Sequence, residues 1–418
     1  MAIVVVYDQG AASPREIIGR LGASEPVVVA LADSEHARQV RPLLEENCAG
    51  LVDLADGTDA AVDELRRLGA KGIVTFSECM LADTARLALR LRLPFNSPET
   101  TRALTDKAIQ RRRLSQAGVD AVRHAVVTTE RDWPRALARV GLPAVLKPVR
   151  GEGSRNTVRV TDAAQGAAAV REFLRSEPAL VVEEFLEGAD WAPFGDYVSV
   201  ESAVTPERMS HFAVTGKLPL APPFRESGQF WPSPLTPEQE AGVTGLADRA
   251  LRALGVTHGL VHTEIKLTPA GPRLIEVNGR LGGDQTELAL RSTGLDLVAL
   301  AGDLALGRGV PPEPVRPQRV HFQYYTPGPT SGGLLERVDG AAAVRALPGI
   351  TAYHSRVRPG TRLAEGTATL LLDMLCGSAA DHREMTALLE QATALLAYEF
   401  TVGDERVLRT ARDLLVRP

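Results

Sequence analysis

His262-Thr-Glu-Ile-Lys-Leu267, the turn Thr268-Pro-Ala-Gly-Pro272, and Arg273-Leu-Ile-Glu-Val-Asn-Gly-Arg-Leu-Gly-Gly-Asp284 form the stretch that decides the fold. Side chains alternate across a strand, so Glu264 shares a face with His262 and Lys266, and Glu276 shares one with Asn278 and Arg280. A hairpin symmetric about Ala270 sets Glu264 opposite Glu276 and His262 opposite Asn278. Facing carboxylates repel, and a sheet keeps them where positive charge lies between. Two carboxylates with an amide oxygen alongside are hard ligands that suit Mg²⁺ better than zinc. Arg280, just past them, is placed to hold an anionic substrate. The competing reading is a pair of solvated strand edges, but apolar Leu260, Val261, Ile265, Leu274, Ile275 and Val277 predict buried strands.

The 418 residues are enough for two or three lobes. A hydrophobic content of 44% and a net charge of −5 describe a soluble globular protein with no basic footprint for nucleic acid. The start Met1-Ala-Ile-Val-Val-Val-Tyr-Asp8 enters a strand without a basic leader, and no apolar run approaches membrane-spanning length. The expected location is the cytoplasm. Cys48, Cys79 and Cys376 give neither a disulfide framework nor zinc spacing. Cys79, beside Glu78, reads as a small residue at a strand end rather than a nucleophile, because no histidine lies near it in the sequence.

Residues 1–95 alternate apolar runs with helical patterns and read as a small doubly wound α/β domain. Ser77 and Glu78 follow its fourth strand, where such domains collect ligands; they are candidates to grip an α-ammonium group, with helix capping the alternative for Glu78. Pro94 to Asp106 carries turn residues and reads as a connection. Two α+β lobes are expected over 96–310, a smaller one about 120–182 and a larger one about 183–310, and a C-terminal α+β lobe over 311–418. Pro219 to Pro237 reads as a proline-rich loop, and Thr367 to Leu372 as a strand.

Between two apolar strands lies Gly151-Glu-Gly-Ser-Arg-Asn156, a hairpin loop able to lay backbone N–H groups over phosphate oxygens. Gly153 and Ser154 are its candidate contacts. Most such loops only turn the chain, but Lys147, in an otherwise apolar strand just before it, is costly unless it meets an anion. Lys107, on an earlier helix, reads by itself as a surface lysine. Val181-Val-Glu-Glu-Phe-Leu-Glu187 ends a buried strand in carboxylates. An adenine can use backbone groups beside Phe185 and Leu186 while a glutamate takes ribose hydroxyls; the alternative is a strand end reaching solvent.

Lysine, phosphate loop and two-carboxylate hairpin, in that order, resemble the ATP-grasp superfamily, in which ATP lies between two α+β lobes. The resemblance covers about residues 1–310. It implies that Lys107 and Lys147 contact phosphates, that Glu183, Glu184, Phe185, Leu186 and Glu187 line the adenine and ribose pocket, and that Glu264, Glu276 and Asn278 hold Mg²⁺, with Mn²⁺ an alternative. Within the superfamily the chain is similar to L-amino acid ligases of the bacilysin-synthetase type. The matching stretches are Glu183-Glu-Phe-Leu-Glu-Gly188, Asp196-Tyr-Val-Ser-Val-Glu201, His262-Thr-Glu-Ile-Lys-Leu267, Leu274-Ile-Glu276 and Arg280-Leu-Gly-Gly283. Phe224-Arg-Glu-Ser-Gly-Gln229 resembles the segment that carries a glutamate, here Glu226, toward the active site. The chain has Gln229 where the family type has histidine and Asp284, after Gly283, where it has tryptophan; both departures implicate the amino-acid pocket.

The resemblance implies a carboxylate–amine ligase: ATP activates an amino acid or peptide-like carboxylate as an acyl phosphate, and an amine, a second amino acid, displaces phosphate. Arg280, Lys147 and Glu226 are the expected catalytic groups; Gln229 and His262 are expected to orient the nucleophile. The alternatives are another ATP-grasp ligase of the carboxylase or purine-pathway kind, or a nucleotide-binding protein without turnover. The expected partners are small molecules, with a homodimer one arrangement open to the C-terminal region.

Overall fold

In the computed structural model, which describes residues 2–416, the first domain alternates strand and helix. Its elements are β1 (Ala2–Tyr7), α1 (Pro14–Leu21), β2 (Val27–Leu31), α2 (Glu35–Asn47), β3 (Gly50–Asp53), α3 (Thr58–Arg67), β4 (Ala70–Val74) and α4 (Leu81–Leu91). The sheet is parallel in the order β3-β2-β1-β4. β1 and β2 are buried along their whole length, with apolar clusters on both faces, which is why they read as unbroken valine-rich runs. Ser13 caps α1 through a reciprocal exchange with Glu16, and Pro14 sits in the first turn, where a missing N–H costs nothing.

Then come α5 (Pro98–Thr105) and α6 (Lys107–Gln116). The segment expected as a connection thus holds a helix: Ser97 caps α5, Pro98 opens it, and Thr100, Thr101, Ala103 and Leu104 are buried. The small lobe contains β5 (His124–Val127), α7 (Trp133–Val140), β6 (Ala144–Pro148), β7 (Val158–Val160), α8 (Ala163–Phe173) and β8 (Leu180–Glu184). Its sheet is antiparallel, ordered β5-β8-β6-β7, and Trp133, Val140, Val170 and Phe173 of the helices close its core.

The remaining chain forms β9 (Tyr197–Val204), β10 (Met209–Lys217), β11 (Gly228–Trp231), α9 (Pro237–Leu254), β12 (Gly259–Thr268), β13 (Gly271–Asn278), α10 (Gln285–Thr293), α11 (Leu297–Ala305) and β14 (Val320–Pro327). It continues through β15 (Gly333–Asp339), α12 (Ala341–Arg345), β16 (Ile350–Ser355), β17 (Arg362–Leu363), β18 (Leu371–Ala379), α13 (His382–Leu395), β19 (Ala397–Val402), β20 (Glu405–Thr410) and α14 (Ala411–Val416). An eight-stranded antiparallel sheet runs β13-β12-β9-β10-β11-β14-β18-β16, and a smaller one runs β17-β15-β19-β20. The proline-rich segment expected as a loop contains β11, which pairs with both β10 and β14 and so carries the C-terminal strands onto the sheet of the large lobe. The strand expected over Thr367 to Leu372 begins only at Leu371, and residues 364–370 run as a largely exposed strap. Among the described residues no helix is long and apolar enough to cross a membrane.

The β12–β13 register brings Glu264 opposite Glu276 and His262 opposite Asn278. The turn is tighter than the sequence implied, since Thr268 pairs with Gly271. A turn that tight would shift the pairing by one residue and turn Glu276 to the other face. A register shift between Glu264 and Ile265 leaves Ile275 as the extra residue and restores the carboxylate pair.

Candidate active site

A cavity of about 560 Å³ opens between the small lobe, the large sheet and the end of β1. Its walls bring together most of the residues singled out in the sequence: Lys107, Lys147, Gly153, Ser154, Glu183 to Leu186, Glu226, His262, Glu264, Glu276, Arg280, Gly283 and Asp284. Ser77, Glu78, Glu187, Gln229 and Asn278 do not line it.

At the small-lobe end, Lys147 extends from β6 to Glu183 on β8, Nζ to Oε2 at 2.9 Å. Arg111 grips the same carboxylate from α6, Nε to Oε1 at 2.8 Å and Nη2 to Oε2 at 2.9 Å, and donates to the carbonyls of Leu274 and Ile275 on β13 at 2.8 and 2.6 Å. Burial alone would raise the pKa of Glu183, but Arg111 and Lys147 outweigh it and hold the carboxyl far below the usual carboxylate range. The Glu183 side chain therefore faces these cations, an arrangement the ribose assignment did not include. Glu184 turns to Arg123 at 2.7 Å, and the Arg159 guanidinium lies 4.1 Å from the centre of the Phe185 ring. Glu187 is exposed, 3.8 Å from Arg159.

On the hairpin, Glu276 receives Lys107 at 3.2 Å and the Asn278 amide at 3.2 Å. Lys107 also donates to the Gly151 carbonyl at 2.8 Å, so a residue that reads as a surface lysine is a half-buried link between the hairpin and the Gly151–Asn156 loop. Burial would lower its pKa, yet Glu276 and Glu78 keep it above the usual lysine range. Imidazole nitrogens of His262 meet Glu201 at 2.9 Å and Glu264 at 3.4 Å. Against the effect of burial, the Glu201 carboxylate raises the His262 pKa to about 9, so the ring is an imidazolium at neutral pH. The ring packs so close to Gly282 that a Cβ there would lie 2.5 Å from Nδ1, which restricts that position to glycine. Glu264 and Glu276 supply hard oxygen donors on one wall, with Asn278 buried behind Glu276, and suit a hard dication. No group of three or more histidine, cysteine or acidic residues able to hold a metal occurs among the described residues, so the remaining ligands would be nucleotide oxygens and water.

At the other end, Lys217 is buried at the end of β10, donating to Glu226 at 3.1 Å and to the Gln229 carbonyl oxygen at 3.2 Å. Burial raises and Lys217 lowers the Glu226 pKa, and the lysine prevails. Gln229 sits behind the wall, its amide nitrogen near the Gly283 carbonyl, Gln323 and Tyr325 at 2.8–2.9 Å, and it also accepts from Gln285 at 2.9 Å. Asp284 has a left-handed backbone, φ 55°, and pairs with Arg356 of the C-terminal lobe at 2.6 Å. Arg280 lies between Glu78 at 3.2 Å and Glu152 at 3.3 Å. Burial raises the pKa of Glu78 despite Arg280. The Ser77 hydroxyl bonds to the Asp8 backbone instead of facing the cavity, and Glu78 begins a single 3₁₀ turn.

Arg111, Lys217, Glu201 and Tyr325 were not singled out. Lys217 carries the signal that exposed Lys147, a lysine closing an apolar strand. Arg111 sits in an Arg111-Arg-Arg113 run that reads as a solvated helix face.

No family model matches the chain. An uncharacterized protein of Sinorhizobium fredii, y4rH, is 31% identical over 317 residues, which are 72% of this chain and 63% of that protein. The alanine–anticapsin ligase of Bacillus subtilis is 30% identical over 255 residues, 56% of this chain and 54% of that one. The matches thus span between half and two-thirds of these relatives' length. The crystal structure of an L-amino acid ligase from Bacillus licheniformis superposes with a TM-score of 0.75 at 22% identity, covering 94% of this chain and 97% of that one. Sequence likeness and shared fold agree: the chain has the ATP-grasp fold and is similar to L-amino acid ligases.

Proposed function

We propose that this chain is a cytoplasmic ATP-dependent ligase that joins an amino acid or peptide-like carboxylate to an amine, a second amino acid. The observation that carries the reading is the shared wall of one cavity: a half-buried lysine, Lys107, and a buried one, Lys147, paired with Glu276 and Glu183, stand beside Arg280 and the Gly151–Asn156 loop. Buried cations facing a cavity are built to receive an anion. The relatives supply the reaction class.

A substrate carboxylate oxygen attacks the γ-phosphorus of ATP; the bond to the β,γ-bridging oxygen breaks, ADP leaves, and an acyl phosphate remains. The amine nitrogen then adds to the acyl carbon, the carbon–oxygen bond to phosphate breaks, and the nitrogen loses a proton. Lys107 and Lys147 bind the phosphates, and Arg280 meets the charge that builds on the acyl oxygen, a contribution of about 2.7–4 kcal/mol for a well-placed donor. Glu226, kept ionised by Lys217, holds the ammonium and takes the proton that must leave before attack; the second proton, lost as the amide forms, passes to the departing phosphate. Phe185 and Leu186 lie against adenine. Glu264, Glu276 and Asn278 would hold Mg²⁺, whose chemistry is to neutralise the triphosphate.

Phosphate release with Mg²⁺ and ATP across a matrix of amino-acid pairs, followed by mass spectrometry of the products, tests the reading. An amide mass matching one pair is expected. ADP release that depends on bicarbonate or formate instead of an amine would replace it with carboxylase or formate-activating chemistry. No phosphate with any pair would leave a nucleotide-binding protein.

A further inference from the structure

The strap at residues 364–370 joins β17 to β18 in the C-terminal lobe, and it is tied there by the Gly366 N–H to the Thr330 carbonyl at 3.0 Å and the Gly328 N–H to the Leu370 carbonyl at 2.7 Å. Between those ties it reaches the other lobe. The Thr369 N–H donates to the Gly153 carbonyl at 2.9 Å, and the Asn156 N–H donates to the Thr367 hydroxyl at 3.1 Å. Thr369 also lines the cavity beside Gly153 and Ser154.

The loop it holds has little structure of its own. Its internal backbone bonds are Arg155 N–H to Glu152 at 3.4 Å and Thr157 N–H to Ser154 at 3.1 Å. Ser154 and Asn156 stand in the left-handed region at φ 56° and 51°, which non-glycine residues adopt at a cost unless neighbours hold them. Side chains of Arg155 and Asn156 are anchored within the small lobe to Glu177. Lys107 holds the Gly151 carbonyl and Arg280 holds Glu152, and the strap adds backbone ties at Gly153 and Asn156 from the C-terminal lobe. Arg356, earlier in the same β16–β18 connection, pairs with Asp284 at the far end of the cavity.

We infer that Thr367 and Thr369 are positioning residues for the nucleotide end of the cavity: the strap pins the Gly151–Asn156 loop across the two lobes and slows nucleotide departure. The inference rests on the reading of that loop as a phosphate cover. It makes release of ADP depend on a lobe that lies outside the two nucleotide-binding ones.

Thr367→Val keeps shape and removes the acceptor, while Thr367→Ser keeps it. One hydrogen bond lost corresponds to a roughly 2- to 12-fold rise in local opening. Hydrogen–deuterium exchange of the peptide spanning residues 151–157 in the full chain should rise by that factor in Thr367→Val. Release of a fluorescent ADP analogue should speed up by a similar factor, the melting temperature should stay unchanged, and Thr367→Ser should restore both rates. Unchanged exchange overturns the tether. Faster exchange with unchanged ADP release overturns the positioning role. Failure of the wild-type chain to bind the analogue overturns the nucleotide reading and the positioning role with it, whereas the exchange result still judges the tether.

Discussion

Glu183→Gln isolates the buried charge cluster that ties the small lobe to the large one. The carboxylate is 3% exposed and accepts from Arg111 Nε and Nη2 and from Lys147 at 2.8–2.9 Å. The amide keeps the volume but leaves two buried cations facing a neutral group, and breaking a buried ion pair costs about 3–5 kcal/mol. The effect must depend on pH with a defined sign. Glu183 has a folded pKa below its unfolded value of about 4.3, so its contribution is complete above that pH and drains away as pH falls toward the folded pKa. At pH 3.5 the unfolded chain already gains about 1.2 kcal/mol from protonating this residue, and the gap between wild type and variant narrows by that amount. Urea unfolding of both proteins at pH 7 and pH 3.5, followed by tryptophan fluorescence, measures it; Trp133 reports from the core of the small lobe. A variant within about 1 kcal/mol of wild type at pH 7 would falsify the view that this cluster is held by charge, and so would a gap equal at both pH values.

Three further perturbations separate the ends of the cavity. Glu276→Ala removes one of the facing carboxylates and should abolish ATP turnover while the circular dichroism spectrum stays that of the wild type; near-normal phosphate release would sink the metal assignment. Arg280→Ala should leave binding of a fluorescent ATP analogue within a few-fold and cut amide yield by about 10²–10³, and an unchanged yield removes Arg280 from the mechanism. Lys217→Met takes away the cation that lowers the pKa of Glu226, so the acid limb of the kcat/KM profile should move to higher pH. An acid limb that stays in place means Glu226 is not the group being titrated.

The hairpin shows how much of the site is legible locally. Alternation alone sets Glu264 with His262 and Glu276 with Asn278, because the strand period is two and the turn is close by. What it misses is that the turn is one residue tighter and that Ile275 absorbs the difference. Helix α5 was hidden for a similar reason: Pro98 and Ser97 are turn residues and also an N-terminal cap, and only the burial of Thr101 and Leu104 distinguishes the two. β11 is four residues long in a proline-rich segment and forms because β10 and β14 offer it partners on both sides.

The sequence by itself determined the carboxylate hairpin, the glycine-containing loop after β6 and the lysine that precedes it, since each is a pattern of residue types within a few turns or strands. Tertiary structure decided which charge answers which. Arg111 finds Glu183 72 residues away, His262 finds Glu201 61 residues away, and Thr369 reaches Gly153 from the far lobe. An arginine in a basic run and a threonine in a loop carry no local mark of such partners. Those partners are chosen by burial and by the register of distant strands, where an unpaired charge or carbonyl would cost more than the pairing.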